Sequence, residues 1–284
     1  LVRIGEYAFQ RCFGVKEIEL PSKVLTIGKY AFMYCGLTKI ELSESLQTIG
    51  RCAFANTDLA EIVIPGSVVK IEDYAFVDDR GFENTKLQRV EFEQGVEDST
   101  IGAYAFKNCT KLNEVILSDN IITIGFQAFY GCSSLTSLRL SSNLKKMGVQ
   151  MIQGTKIESI VVPKGVYEAG YAGTYEVNGA LEGCNTLTMV ILEEGMETIP
   201  KYLFANINSL QKVEIPQSIK KIDNFAFHNC TGLKEIIIPK SVVDIGEYVF
   251  RNCTSLTKVT FEEQSLIKKI PREMFKGCIS LETV

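Results

Sequence analysis

The chain has 284 residues, 46% of them hydrophobic and 23% charged, with a formal net charge of −4 at pH 7. That composition belongs to a folded chain, and its acidic balance speaks against nucleic acid, which is approached through basic faces. No stretch approaches the roughly 18 consecutive apolar residues of a membrane span, so no membrane insertion is expected within this sequence.

Internal repetition dominates. A cassette of about 23 residues recurs twelve times, and self-similarity at that period marks a stacked solenoid whose units bury their apolar faces against one another. Aligned on an aromatic anchor, the copies put Phe9, Phe32, Phe54, Phe76, Phe106 and Phe129 in register, then Ile152 and Leu181 as substitutes, then Phe204, Phe227, Phe250 and Phe275. One solenoid over residues 1–284 is therefore expected. The chain opens inside one cassette, at Ile4-Gly5, and closes inside another, at Leu281 to Val284. No atypical capping repeat shields either end, which reads as a segment of a longer protein.

Each cassette starts with alternation about a β-branched centre, as in Leu37 to Leu42, which predicts a short strand with Ile40 and Leu42 inward and Lys39 and Glu41 outward. Proline follows several of these strands (Pro21, Pro65, Pro163, Pro216, Pro239), where its missing N–H and fixed φ turn the chain out of the ladder. Next comes Ile-Gly, as in Ile27-Gly28 and Ile49-Gly50, a bend at which backbones pass closely. The Gly-x-x-Ala-Phe stretch, such as Gly102 to Phe106, is expected to form a short helical turn with Ala and Phe inward. Successive strands should then lie parallel, about 4.8 Å apart.

Insertions break the period. The first spans Val77 to Thr85 and contains an Asp78-Asp79 pair, weak as a calcium signal because no spaced ligand loop follows. The second lies within Gly165 to Gly179 and carries Tyr167, Tyr171 and Tyr175. Their spacing would align the rings on a helix, but Gly170, Gly173 and Gly179 argue for a loop. Two-residue additions enlarge the turns at Glu93 to Thr100 and Glu262 to Lys269.

Eight of nine cysteines occupy one cassette position, filled elsewhere by Thr57, Thr155 and Ile207. A site that accepts Thr or Ile reads as small and buried, so these thiols are expected to be free and interior, with no metal site. The ninth, Cys52, takes a place filled by Tyr30, Tyr74 or Tyr104 in other copies. The single histidine, His228, stands two residues before Cys230. A base–nucleophile pair would need both in one accessible place. The slot of His228 holds Lys107, Tyr130 and Arg251 elsewhere, which marks an exposed turn, whereas Cys230 belongs to the buried column. The sequons at Asn108, Asn229 and Asn252 recur with the repeat and read as turn chemistry. No catalytic residues, cofactor or metal are expected.

The pattern Leu-x-x-Ile-x-Leu-Pro-x-x-Val-x-x-Ile-Gly-x-x-Ala-Phe-x-x-Cys resembles the BspA-type leucine-rich repeat, the class also found in treponemal leucine-rich repeat proteins, and covers essentially the whole chain. The resemblance implies an α/β repeat solenoid, curved and right-handed, with a parallel sheet on its concave face and short helical turns and loops on the convex side. It also implies a bacterial cell-surface or secreted location and adhesion to a protein or glycan on host or neighbouring cells. A structural spacer presenting another domain is the alternative.

A partner would meet the outward strand column or the insertions. That column begins acidic (Glu19, Glu41) and turns apolar at Ile116, Val161 and Ile191, with Arg139 between them and Met189 beside them. Exposed contiguous apolar surface marks interaction sites, and aromatic rings on a loop make good anchors. The expected partner-binding residues are Ile116, Arg139, Val161, Met189, Ile191, Tyr167, Tyr171 and Tyr175.

Overall fold

A computed structural model describes residues 2–80, 86–172 and 177–284. The chain winds as a parallel-strand β-solenoid of about 11 turns, gathered into two compact units, residues 1–144 and 145–284.

The expected strands form a first ladder. In the first unit Glu17–Glu19 pairs with Lys39–Glu41, and Glu61–Ile64, Arg89–Phe92 and Glu114–Ile116 make a three-stranded set. In the second, Ser159–Val162, Met189–Leu192 and Lys212–Glu214 make one set, and Glu235–Ile238 pairs with Lys258–Phe261. All these pairs are parallel, and side chains alternate as anticipated: Ile62, Ile64, Ile160 and Val162 are buried while Glu61, Val63, Ser159 and Val161 face out.

A second ladder was not foreseen. The residues at the Ile-Gly bend, or at its equivalent where glycine is replaced, are two to four-residue strands, running in the first unit through Arg3–Ile4, Thr26–Ile27, Thr48–Ile49, Lys70–Ile71, Ser99–Ile101 and Ile121–Ile124. In the second unit Lys146–Met147 pairs with Glu168–Ala169, and Thr198–Ile199, Lys221–Ile222 and Asp244–Ile245 pair in turn. Where a glycine follows the strand, it can allow close approach. A Cβ on Gly50 would lie 2.8 Å from the Gly28 carbonyl carbon and 2.9 Å from the Ile27 oxygen.

The expected helical turns are absent; the described residues contain no helix. Most Gly-to-Cys stretches instead contain two left-handed residues four apart, such as Tyr30 and Tyr34 (both φ 58°) or Tyr104 (φ 60°) and Asn108 (φ 56°). A left-handed residue breaks the run of right-handed φ/ψ that an α-helix needs. The amides therefore alternate. Tyr30, Phe32 and Tyr34 donate to Arg51, Ala53 and Ala55 of the next coil, whereas Ala31, Met33 and Cys35 donate three residues back. The segment is a chain of tight turns stitched to its neighbour at every second residue.

Inside, the anchors stack. Phe54 lies 5.5 Å from Phe76, Phe76 4.7 Å from Phe106, and Phe106 5.3 Å from Phe129, all near-parallel. The second unit repeats this with Phe204, Phe227 and Phe250, after Ile152 and Leu181 fill the position with aliphatic bulk.

Candidate functional site: the outward strand face

Two outward side chains per strand form two columns on the first ladder. The first column alternates in charge. Glu17 sits in register with Lys39, Glu61 with Arg89, Arg89 with Glu114, and Glu235 with Lys258. Arg89 bridges Glu114 at 2.8 Å, and within one strand Lys212 meets Glu214 at 2.6 Å. Opposite charges directly across a sheet attract, so this column largely neutralises itself.

In the second unit the pattern gives way to apolar surface. Ser159 registers with Met189 and Met189 with Lys212, while Val161 registers with Ile191 and Ile191 with Glu214. Val161, Met189 and Ile191 are 49%, 40% and 43% exposed. These three expected residues are thus brought side by side, bordered by the Lys212–Glu214 ion pair. A groove of about 740 Å³ follows, between Lys212–Glu214 and Glu235–Ile238, with Ile237 standing out from its wall. Lys234 and Glu235 line it too, residues that sequence reasoning did not single out. Their signal was Pro239, which closes the strand they open.

In the first unit, Ile116 is exposed beside Glu91 on the neighbouring strand. Arg139 lies outside any strand and contacts the Asp119 carboxylate at 3.2 Å. That carboxylate also accepts the Ser142 amide, and its pKa is lowered by the Ser142 hydrogen bonds and by Arg139. Arg139 is therefore engaged in holding a turn.

The second insertion forms a small antiparallel hairpin, Tyr171–Ala172 with Val177–Asn178. It follows directly from Glu168–Ala169, a strand of the second ladder, and Asn206 Nδ2 donates to the Val177 carbonyl at its root. Tyr167 and Tyr171 are both exposed, and Lys146 Nζ lies 5.9 Å from the centre of the Tyr167 ring. Tyr175 falls outside the described residues, as do residues 81–85 of the first insertion.

The part of the first insertion that is described consumes its acids. The buried Asp78 carboxylate accepts from Arg80 and from the Tyr34 hydroxyl at 2.6 Å, and the Arg80 guanidinium holds its pKa down at about 2. Asp79 accepts from the Tyr30 hydroxyl at 2.8 Å and pairs with Arg51. Beneath them lies Cys52, the residue that interrupts the tyrosine column, its thiol pushed up to about 12 by burial.

All nine cysteines are free thiols, seven of them buried. Several donate to the anchor carbonyl of the preceding coil: Cys132 to Phe106 at 3.2 Å, Cys230 to Phe204 at 3.0 Å, Cys253 to Phe227 at 3.1 Å. His228 packs edge-on against Phe225, and burial, then Arg251, lowers its pKa to about 4. The Cys230 thiol is thus spent inside the core, with its hydrogen bond made to Phe204. Among the described residues no group of three or more His, Cys, Asp or Glu is placed to hold a metal ion. None of the described residues forms a helix long and apolar enough to cross a membrane.

The model of the BspA type leucine rich repeat region matches residues 2–80, 77–173 and 177–284. No curated protein matches the chain. Among solved structures, a leucine-rich repeat protein from Bacteroides ovatus is 28% identical with a TM-score of 0.60, over 99% of this chain and 81% of that one. A leucine rich cell surface protein from Faecalibacterium prausnitzii is 21% identical with a TM-score of 0.42, over 94% and 74%. The T. pallidum leucine rich repeat protein is 22% identical with a TM-score of 0.45, over 69% and 78%. No enzymatic family is indicated. With family matches over nearly its whole length and two parallel ladders wound about stacked phenylalanines, the chain belongs to the BspA-type leucine-rich repeat family.

Proposed function

We propose that the chain is a non-catalytic recognition module of a bacterial cell-surface or secreted protein, and that it holds a protein partner against the strand face of its second unit. The observation that carries this reading is the contiguous set Val161, Met189 and Ile191, left in water beside Ser159 and the Lys212–Glu214 pair of the next strand. Large side chains exposed together and rimmed by charge mark interaction surfaces, and the depleted charge at the patch centre matches the core of a protein–protein interface. Tyr167, Tyr171 and Tyr175 on the insertion, and Ile116 and Arg139 in the first unit, are the other candidate contacts. A glycan would favour the tyrosines over the aliphatic strip.

The test is binding of the immobilised chain to host-matrix proteins, mucin and bacterial cells, alongside Ile191→Asp, Met189→Asp and Tyr171→Ala. Binding that falls at least about tenfold in the two aspartate variants, with circular dichroism unchanged, supports the strand face. Loss confined to Tyr171→Ala transfers the site to the insertion. Binding to none of these surfaces favours a spacer role and removes the proposal.

A further inference from the structure

In the first unit the first ladder is interrupted between Lys39–Glu41 and Glu61–Ile64, and it stops again after Glu114–Ile116, where residues 136–140 form no strand; in the second it is interrupted between Lys212–Glu214 and Glu235–Ile238. Where strands of the ladder pair, the first two amides of a strand segment donate to one carbonyl of the preceding coil. Gln88 and Arg89 donate to Ala60, Gln211 and Lys212 to Thr188, and Thr257 and Lys258 to Lys234. At the interruptions, Ala60 and Glu61 make no such bonds to Thr38, and Lys234 and Glu235 make none to Gln211, among the described residues. The other side of the same coils stays closed. Thr48–Ile49 remains paired with Lys70–Ile71, Lys221–Ile222 with Asp244–Ile245, and the anchors stack at 5.5 Å (Phe54–Phe76) and 5.2 Å (Phe227–Phe250).

The sequence supplies a cause. Three of the intact pairs are closed at their far end by one more bond, Glu93 to Ile64, Glu193 to Val162 and Glu262 to Ile238, while Lys39–Glu41 and Glu114–Ile116 stay paired without it. At the interruptions before Glu61–Ile64 and Glu235–Ile238 the residue in that place is a proline, Pro65 or Pro239, which has no N–H to give; the break after Glu114–Ile116 has Ser141 there and no such cause. Pro216 shows that proline alone does not break the ladder, since its strand keeps pairing over three residues. It removes one bond of a short set and leaves the rest weaker.

We infer that each unit carries a one-sided seam, at which the strand face parts and closes about the second ladder as a fixed spine. The unpaired backbone groups at the seam meet water, and the groove between Lys212–Glu214 and Glu235–Ile238 is the opening itself. The seam gives the strand face an adjustable width beside the apolar strip. It does not depend on what partner binds there.

Hydrogen exchange on the intact chain, read amide by amide and corrected for intrinsic rates, tests it. Lys234 and Glu235 should exchange at least about tenfold faster than Thr257 and Lys258, and Ala60 and Glu61 faster than Gln88 and Arg89 by a similar factor. The spine amides of Glu72 and Gly246, bonded to Ile49 and Ile222, should stay protected. Equal protection on the two sides of each comparison, or loss at the spine as well, overturns the inference. Pro239→Glu, which places there the residue type found at Glu262, should slow exchange at Lys234 and Glu235 and leave Ala60 and Glu61 unchanged. No slowing in that variant overturns the role given to proline.

Discussion

Asn252 decides between a helical turn and the left-handed backbone described above. Its φ is 62°, its N–H donates to the Lys276 carbonyl at 2.8 Å, and a Cβ on Gly277 of the next coil would stand 2.4 Å from its side-chain oxygen. For an L-residue with a Cβ, left-handed backbone costs roughly 1–2 kcal/mol, with Asn among the least penalised. Asn252→Ala should therefore destabilise by about 1 kcal/mol, and Asn252→Val by about 2 kcal/mol because a β-branched side chain is least tolerated there. Asn252→Gly should stay within about 0.5 kcal/mol of the parent, the relief of strain being offset by greater freedom in the unfolded chain. A helix reverses the order, since Ala is the best helix former and Gly costs about 1 kcal/mol beside it. Urea unfolding followed by circular dichroism gives the three differences from the midpoints at constant slope. Alanine more stable than both asparagine and glycine would falsify the left-handed assignment.

Other perturbations have outcomes as definite. The carboxyl of Asp78 titrates near 2 in the fold against an ordinary 3.8. A lowered acid pKa stabilises the fold above the unfolded value and stops doing so as pH falls through the folded one. Asp78→Asn should thus cost about 2 kcal/mol at pH 7, with the gap to the parent narrowing between pH 4 and pH 2 in thermal melts; a constant gap refutes the ion-pair account. Phe106→Ala should destabilise by about 3–5 kcal/mol, and Phe106→Leu by far less because leucine already serves at position 181; similar chemical-denaturation midpoints for the two would sink the stacked-core reading. In native protein at pH 8 an aromatic disulfide reagent should reach Cys12, which is half exposed, well before Cys52 and Cys132, whose thiols are buried and held near 12. Rapid labelling at either of those would contradict their placement.

Much of the fold could be read from residue types because burial imposes a strict inward column. Ile62, Val90 and Ile160 alternate with exposed partners, and each anchor recurs at its period. The left-handed column was also visible in principle. The residue before the column's Cys or Thr is Asn56, Asn108, Gly131, Gly154, Gly183, Asn229, Asn252 or Gly277 in eight coils, the two types that tolerate positive φ, with Arg11 and Tyr34 as exceptions. The helix-forming Ala and Phe beside them pointed the other way, and local preference lost to stitching between coils. The first left-handed position was not legible, since Tyr104 and Tyr248 hold it through ring stacking at 4.5 Å on Tyr74 and 4.6 Å on Phe225. Strands as short as Thr26–Ile27 and Thr48–Ile49 carry too little periodicity to announce a second ladder. As for the candidate site, the apolar run at Val161 and Ile191 was written in the outward column. Val161 and Ile191 prove to be direct neighbours, a matter of register that residue types leave open.

A molecule built from near-copies runs a hazard that ordinary folds do not, because any turn of the winding could seat itself on the wrong neighbour. The alternating acids and bases on the strand face answer it. Skipping one turn would bring Glu17 against Glu61, Glu61 against Glu114, or Lys212 against Lys258, and like charges placed directly opposite repel. In the first column correct winding sets each sign beside its opposite, as with Glu17 and Lys39 or Glu235 and Lys258, although Glu19 faces Glu41 in the second. The same side chains that neutralise one another along that column thereby proofread the order in which its turns assemble.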